Sequence, residues 1–201
     1  MRLRTAGPLG VLAELADLET VHRLDAAVRA AQLPGVVDVV PGYRTLLVTS
    51  CSAASAARVR KALPLLDLPG LDQVRRTVVE IPVVYDGEDL AEVARLTDLP
   101  VAEVVRRHTA PEYLVAFLGF APGFPYLLGL DPALHVPRRA TPRTSVPAGS
   151  VALAGVQTGI YPAATPGGWQ LVGRTDVALF DGDREPPALL AAGDRLRFAA
   201  A

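Results

Sequence analysis

Three clusters in the second half of this 201-residue chain carry residue types able to do chemistry. The first is Phe117-Leu118-Gly119-Phe120-Ala121-Pro122-Gly123-Phe124-Pro125-Tyr126-Leu127-Leu128-Gly129-Leu130. Four aromatic rings in ten positions (117–126) are too many for a solvated loop. Pro122 and Pro125 fix φ, and Gly123 allows a turn other residues take only at a cost. Such a loop is stiff and presents rings. Either it plugs the end of its own domain, or Phe120, Phe124 and Tyr126 wall an apolar pocket.

The second cluster holds two Pro-Arg pairs, Pro137-Arg138 and Pro142-Arg143, ahead of Val146-Pro147-Ala148-Gly149-Ser150-Val151. Guanidinium forks bind carboxylate or phosphate in bidentate fashion, and a preceding proline limits how far each can stray. The competing reading pairs them with local carboxylates such as Asp131 or Asp181. The third cluster is Gln157-Thr158-Gly159-Ile160-Tyr161-Pro162, followed by Pro166-Gly167-Gly168-Trp169 and Gly173-Arg174-Thr175. Pro-Gly-Gly before the only Trp predicts a tight turn with exposed backbone N–H groups, which suits anions. Gln157, Tyr161, Trp169 and Arg174 join the candidate binding residues; Trp169 as core and Arg174 as a cap of the sheet are the structural alternatives.

Several chemistries are missing from the sequence. There is no Gly-x-x-x-x-Gly-Lys-Ser/Thr loop for ATP, and His22, His108 and His135 have no metal-ligand spacing. Ser150 does not sit in a Gly-x-Ser-x-Gly elbow, and Lys61, the only lysine, has no biotin-attachment context. The single cysteine, Cys51, excludes a disulfide framework. The 20 basic against 21 acidic residues give no footprint for nucleic acid or anionic lipid. No apolar run approaches the ~20 residues of a membrane span, and the start lacks the pattern of a signal peptide. The reading is a cytoplasmic protein with an anion-friendly pocket, no metal site and no identifiable catalytic residue.

Two domains are expected to position these clusters. Residues 1–82 read as α+β. A strand at 11–15 precedes a helix with Leu18, Val21, Leu24, Val28 and Ala31 at helical spacing, stopped by Pro34-Gly35. Strands at 36–40 and 43–48 flank Pro41-Gly42, a helix follows over 53–63, and a last strand covers 77–81. This β-α-β-β-α-β order is the split-βαβ pattern, with two helices on one face of an antiparallel sheet. Residues 83–201 begin with two short helices, 89–97 and 100–108. Nine of the 18 prolines then fall between Pro111 and Pro166, which excludes long helices there. Short apolar stretches at 113–118, 150–154, 168–172, 177–180 and 195–198 predict a small β-barrel with long loops.

Taken in order, the three clusters resemble the family of bacterial 5-oxoprolinase B-type subunits, also known as KipI-type kinase inhibitors or allophanate hydrolase subunit 1. The match runs from His108 and Tyr113 through Gly119-Phe120-Ala121-Pro122-Gly123-Phe124-Pro125-Tyr126-Leu127 and the Pro-Arg segment. It continues over Gln157, Tyr161-Pro162, Pro166-Gly167-Gly168-Trp169 and Gly173-Arg174-Thr175 to Gly193-Asp194-Arg195-Leu196-Arg197-Phe198. It is strong over residues 89–198; Thr175-Asp176 departs from an expected Thr-Pro. The resemblance implies an α+β domain followed by a cyclophilin-like β-barrel. It also implies a heteromeric enzyme that uses ATP with Mg2+ to open 5-oxo-L-proline to L-glutamate. Its partners would be a second subunit with a related barrel and a further subunit of different fold. The same family also implies two alternatives: inhibition of a sensor histidine kinase, and a carboxyltransferase role in urea or allophanate metabolism. Alone, the chain is expected to expose the 119–130 loop with Tyr161 and Trp169, and to self-associate through them.

Overall fold

The computed structural model describes residues 1–70 and 78–201. The chain forms two compact units, Met1–Arg75 and Arg76–Ala201.

The first unit opens with strands β1 (Arg2–Ala6) and β2 (Gly10–Glu14), then helix α1 (Leu18–Ala31). Strands β3 (Val36–Pro41) and β4 (Thr45–Ser50) and helix α2 (Ala53–Ala62) follow. The side chains of Asp17 and Ser52 accept from backbone N–H groups in the first turns and so start the two helices. The antiparallel sheet has the order β1-β2-β4-β3. Val11 and Ala13 of β2, Val39 of β3 and Leu46 and Val48 of β4 pack with Val21, Leu24 and Val28 of α1 and Val59 of α2. Burying each of these valine and leucine side chains stabilises by roughly 1.5–3 kcal/mol.

The split-βαβ architecture is therefore present, but its fourth strand comes from a different place. The strand expected at 77–81 runs over Val78–Val83 (β5) and pairs in the second unit, and Thr77 lies outside the described residues. The edge beside β2 is taken instead by β1, antiparallel to it from Arg2↔Glu14 to Ala6↔Gly10. The compact units accordingly divide after Arg75 rather than at the expected 82/83, because β5 hydrogen-bonds along its length to the last strand of the chain.

In the second unit β5 leads into α3 (Leu90–Thr97) and α4 (Val101–Thr109). Next come β6 (Tyr113–Leu118), β7 (Pro125–Leu128), β8 (Arg143–Val146), β9 (Ser150–Ala154) and β10 (Gln157–Ile160). The chain ends with β11 (Thr165–Gly167), β12 (Gln170–Arg174) and β13 (Arg195–Ala200). Seven strands form one sheet in the order β12-β9-β10-β7-β6-β13-β5, with β13 and β5 parallel. Its two edges meet where Val84, just past β5, exchanges two 2.9 Å hydrogen bonds with Arg174 of β12. Gly87 N–H to Val172 O (3.2 Å) and Asp89 N–H to Leu171 O (2.9 Å) extend that seam and close the barrel. Ile81, Val83, Val115, Leu127, Val151, Leu153, Val172 and Leu196 are among the residues that fill its core.

The stretch at 177–180, expected as a strand, is not one. Arg184 reaches back to the carbonyls of Ala178 and Leu179 (3.3 and 3.4 Å), and Phe180 makes only an isolated bridge to Ala188. The aromatic loop, in contrast, is more regular than expected. It is a hairpin in which β6 and β7 flank a six-residue tip, 119–124, closed by Gly119 N–H to Phe124 O at 3.1 Å.

Candidate functional site

The hairpin tip, the turn before β12 and the segment entering β8 converge on a cavity of about 80 Å³. It is lined by Phe120, Phe124, Tyr126, Arg138, Tyr161 and Trp169, together with Pro166, Gly167 and Gly168. Thus six of the nine residues singled out in the sequence share one cleft. Gly123 holds the tip in shape at φ +80°, and a Cβ there would lie 2.8 Å from that of Phe180. The rings meet edge to face: Phe124 stands 5.2 Å from Tyr161 and 5.5 Å from Trp169, centre to centre. Phe124, Tyr161 and Trp169 are 2, 2 and 5 % exposed, which corrects the expectation that Tyr161 and Trp169 lie open. They are buried because Val146 of the β8–β11 ribbon and Ala152 and Ala154 of β9 pack with them.

Phe120 is different. It is 63 % exposed and adopts φ +67°, a left-handed conformation that costs a non-glycine residue on the order of 1–3 kcal/mol. Its ring meets Phe124 and Tyr161 edge to face at the mouth of the cleft (5.4 and 6.3 Å).

The arginines separate into two groups. Arg138 holds its guanidinium 5.8 Å above the Trp169 ring, and no ion pair or hydrogen bond engages it among the described residues. Arg143 donates to Asp89 Oδ1 (2.8 Å) and, by Nε and Nη2, to Glu88 Oε2 (3.2 and 3.0 Å). Arg139 donates to the same Asp89 oxygen at 2.5 Å. The carboxylates involved are Asp89 and Glu88, not the expected Asp131, which pairs with Arg107 (3.0 Å), or Asp181. The Asp89 side chain is 4 % exposed, and its Oδ2 also accepts from Leu171 N–H at 2.8 Å. Burial alone would raise its pKa; the donors Arg143 and Leu171, with both guanidinium charges, outweigh this and hold it below the usual carboxylate range.

The structure does not bring the remaining candidates to the cleft. Arg174 pairs with Asp86 at 2.9 Å on the surface beside the barrel seam. Gln157 lies at the start of β10, opposite Ala154, at the far end of that strand from Tyr161. Asp89 and Gln170 are what the sequence reading missed. Gln170 is buried at the start of β12, its Nε2 donates to Pro137 O (3.1 Å), and its Oε1 has no partner among the described residues. Five buried side-chain polar atoms lack a partner among the described residues. Four of them, on Arg139, Arg143, Thr165 and Gln170, belong to the segments that frame the cleft. Each such group costs about 1–3 kcal/mol, so their concentration here marks a place shaped for something other than stability.

Comparison with known proteins bears on the whole chain. A family model described as carboxyltransferase domain, subdomain C and D, matches residues 1–190. The B-type subunit of 5-oxoprolinase from Bacillus subtilis (strain 168) is 42% identical over 198 residues, covering 89% of this chain and 81% of the relative. That of Escherichia coli O157:H7 is 45% identical over 189 residues, covering 92% and 86%. Among solved structures, TTHA0988 is 42% identical with a TM-score of 0.85; it is matched by 100% of this chain, which spans only 40% of that longer one. Kluyveromyces lactis urea carboxylase, at 21% identity and a TM-score of 0.69, covers 99% of this chain and 21% of its own, and shares the fold.

Proposed function

The chain belongs to the carboxyltransferase domain, subdomain C and D, family, and from that membership we propose that it is one subunit of a heteromeric, ATP-dependent 5-oxoprolinase. The observation that carries the reading is the 42% and 45% identity, over most of both chains, to proteins named as the B-type subunit of 5-oxoprolinase. The complex is cytoplasmic, uses ATP with Mg2+, and opens 5-oxo-L-proline to L-glutamate. This chain supplies a binding cleft and needs its partners for the chemistry. The cleft's form supports that role: Phe120, Phe124, Tyr126, Tyr161 and Trp169 make an apolar wall beside Arg138, whose guanidinium would pair with the substrate carboxylate. Reconstitution with the other subunits of a 5-oxoprolinase, measuring 5-oxoproline-dependent ATP hydrolysis, tests the assignment; full activity without this chain would overturn it. In the active complex Arg138→Ala is expected to raise KM about 10- to 150-fold, the loss of one charge-assisted hydrogen bond of ~1.5–3 kcal/mol. Thermal stability should fall by no more than about 1 kcal/mol, because among the described residues Arg138 has no ion pair to lose, only its contact over Trp169. Arg143→Ala, by contrast, should first lower stability, since it removes a partner of buried Asp89.

The partner with a related barrel docks on the hairpin tip. Phe120 and Phe180 are exposed there, and Leu118 and Ala121 are half-buried. Alone, the chain self-associates through the same patch. Hydrogen exchange should show protection gained at 118–123 when the partner binds, with none at already buried Tyr161 and Trp169. A tip as exchangeable in the complex as alone would place the interface elsewhere.

A further inference from the structure

Three guanidiniums at 138, 139 and 143 would, if all unpaired, make a site for a polyanion such as phosphate. They are not all unpaired. Asp89 takes Arg139 and Arg143 together, and Glu88 takes Arg143 from the other side. Two carboxylates against three guanidiniums leave one positive charge, and Arg138 carries it, over Trp169.

This arrangement is fixed to the ring platform. The backbone and side chain of Asp89 are both tied to Leu171, two residues past Trp169: Asp89 N–H donates to Leu171 O (2.9 Å), and Leu171 N–H donates to Asp89 Oδ2 (2.8 Å). The arginine segment is tied to the same strand entry. Arg139 N–H donates to Gly168 O (2.8 Å), and Gln170 Nε2 donates to Pro137 O (3.1 Å). The counter-charge therefore cannot swing aside to admit a more highly charged ligand.

We propose that Asp89 sets the charge the cleft presents and so selects a monoanion, a small carboxylate, over a polyanion. A monocarboxylate balances Arg138. A dianion leaves an excess negative charge beside Asp89 and Glu88, and like charges in a half-buried site repel. Asp89 touches no ligand itself; it is a positioning and specificity residue acting through the arginines. The inference rests on the cleft being the ligand site proposed above.

Trp169 is the only tryptophan of the chain, so its emission reports binding directly. The purified chain is titrated with 5-oxo-L-proline and with pyrophosphate, checked by calorimetry, in wild type, Asp89→Asn and Glu88→Gln. The wild type should favour the monocarboxylate. Asp89→Asn should bind pyrophosphate at least tenfold tighter and the monocarboxylate only about two- to threefold tighter, so that the preference shifts toward the polyanion. Glu88→Gln is exposed and no threat to folding; it should shift the preference in the same direction by about two- to fivefold. A loss of packing alone would weaken both ligands together, and that result, or unchanged affinities, would overturn the proposal. Should Asp89→Asn fail to fold, Glu88→Gln decides by itself. If no monocarboxylate binds the wild type, the substrate reading of the cleft fails, whereas the charge rule still stands or falls on pyrophosphate.

Discussion

Replacing Gly87 by alanine is expected to destabilise the barrel unit by about 4 kcal/mol. A Cβ at Gly87 would lie 2.4 Å from Leu171 O and Val172 C and 2.5 Å from Gly173 N. All three are backbone atoms of the strand opposite, so no rotamer relieves the clash and the two backbones must separate. Four hydrogen bonds cross that seam: two between Val84 and Arg174, one from Gly87 to Val172 and one from Asp89 to Leu171. At about 1 kcal/mol net for each bond, their loss gives the figure above. The same opening withdraws Asp89 from Leu171, so anion binding should fall with stability. Thermal unfolding followed by Trp169 emission measures it, with Gly182→Ala as the control, since nothing lies within 4 Å of a Cβ there. A wild-type melting temperature for Gly87→Ala would mean that the barrel is not held shut at this seam.

A second large effect is expected on acidification. His108 is fully buried between Tyr85 and Thr158, with Tyr85 Oη 2.6 Å from Nδ1 and Thr158 Oγ1 2.9 Å from Nε2. The Thr158 hydroxyl donates to Ala152 O at 3.1 Å, so Nε2 carries the proton and donates to Thr158, while Nδ1 accepts from Tyr85. Phe198 stacks on the ring at 4.5 Å. The imidazole is held neutral, and burial pushes its pKa down from 6.5 to about 3. Between those values the unfolded chain binds one more proton than the folded one. Stability is therefore complete above pH 6.5 and falls as pH drops, by about 1.4 kcal/mol per pH unit. From pH 6.5 to 4.5 this group's contribution to the loss is about 2.3 kcal/mol. Urea unfolding monitored at Trp169 should show this slope in wild type. His108→Gln should be less stable at pH 7 but flat across the interval. A flat wild-type profile would show that water reaches the ring.

Much of this was legible in the sequence where physics is local. α1 shows itself by the spacing of Val21, Leu24 and Val28 and by the Pro34-Gly35 stop after it, and β9 by a short apolar run. β1 did not show itself: Arg2-Leu3-Arg4-Thr5-Ala6 is an edge strand with almost nothing buried, so it carries no alternation to read. β7 was hidden by Pro125, which reads as a loop residue but occupies the first position of a strand, where its missing N–H is tolerated. The aromatic half of the site was recognisable because its rings are crowded into ten residues. The ionic half was not, because which arginine remains free depends on Asp89, fifty residues before Arg139 and brought to it only by the barrel seam.

The parallel pairing of β5 with β13 has a consequence for how the molecule is made. Strand pairs β1–β2 and β3–β4 join neighbours in sequence, so the first unit can assemble while synthesis is still under way. The second cannot. Val78 finds its partner only when Arg195 has left the ribosome, and until then β5 and β6 each lack the strand that separates them in the finished sheet. Contact order in this unit is consequently high, and its apolar edges, Ile81 and Val83 among them, stay open to wrong pairing from the emergence of β5 until that of β13. A nascent chain stalled before Arg195 should thus be held by chaperones or aggregate, whereas emergence of β13 allows the sheet to close in a single step.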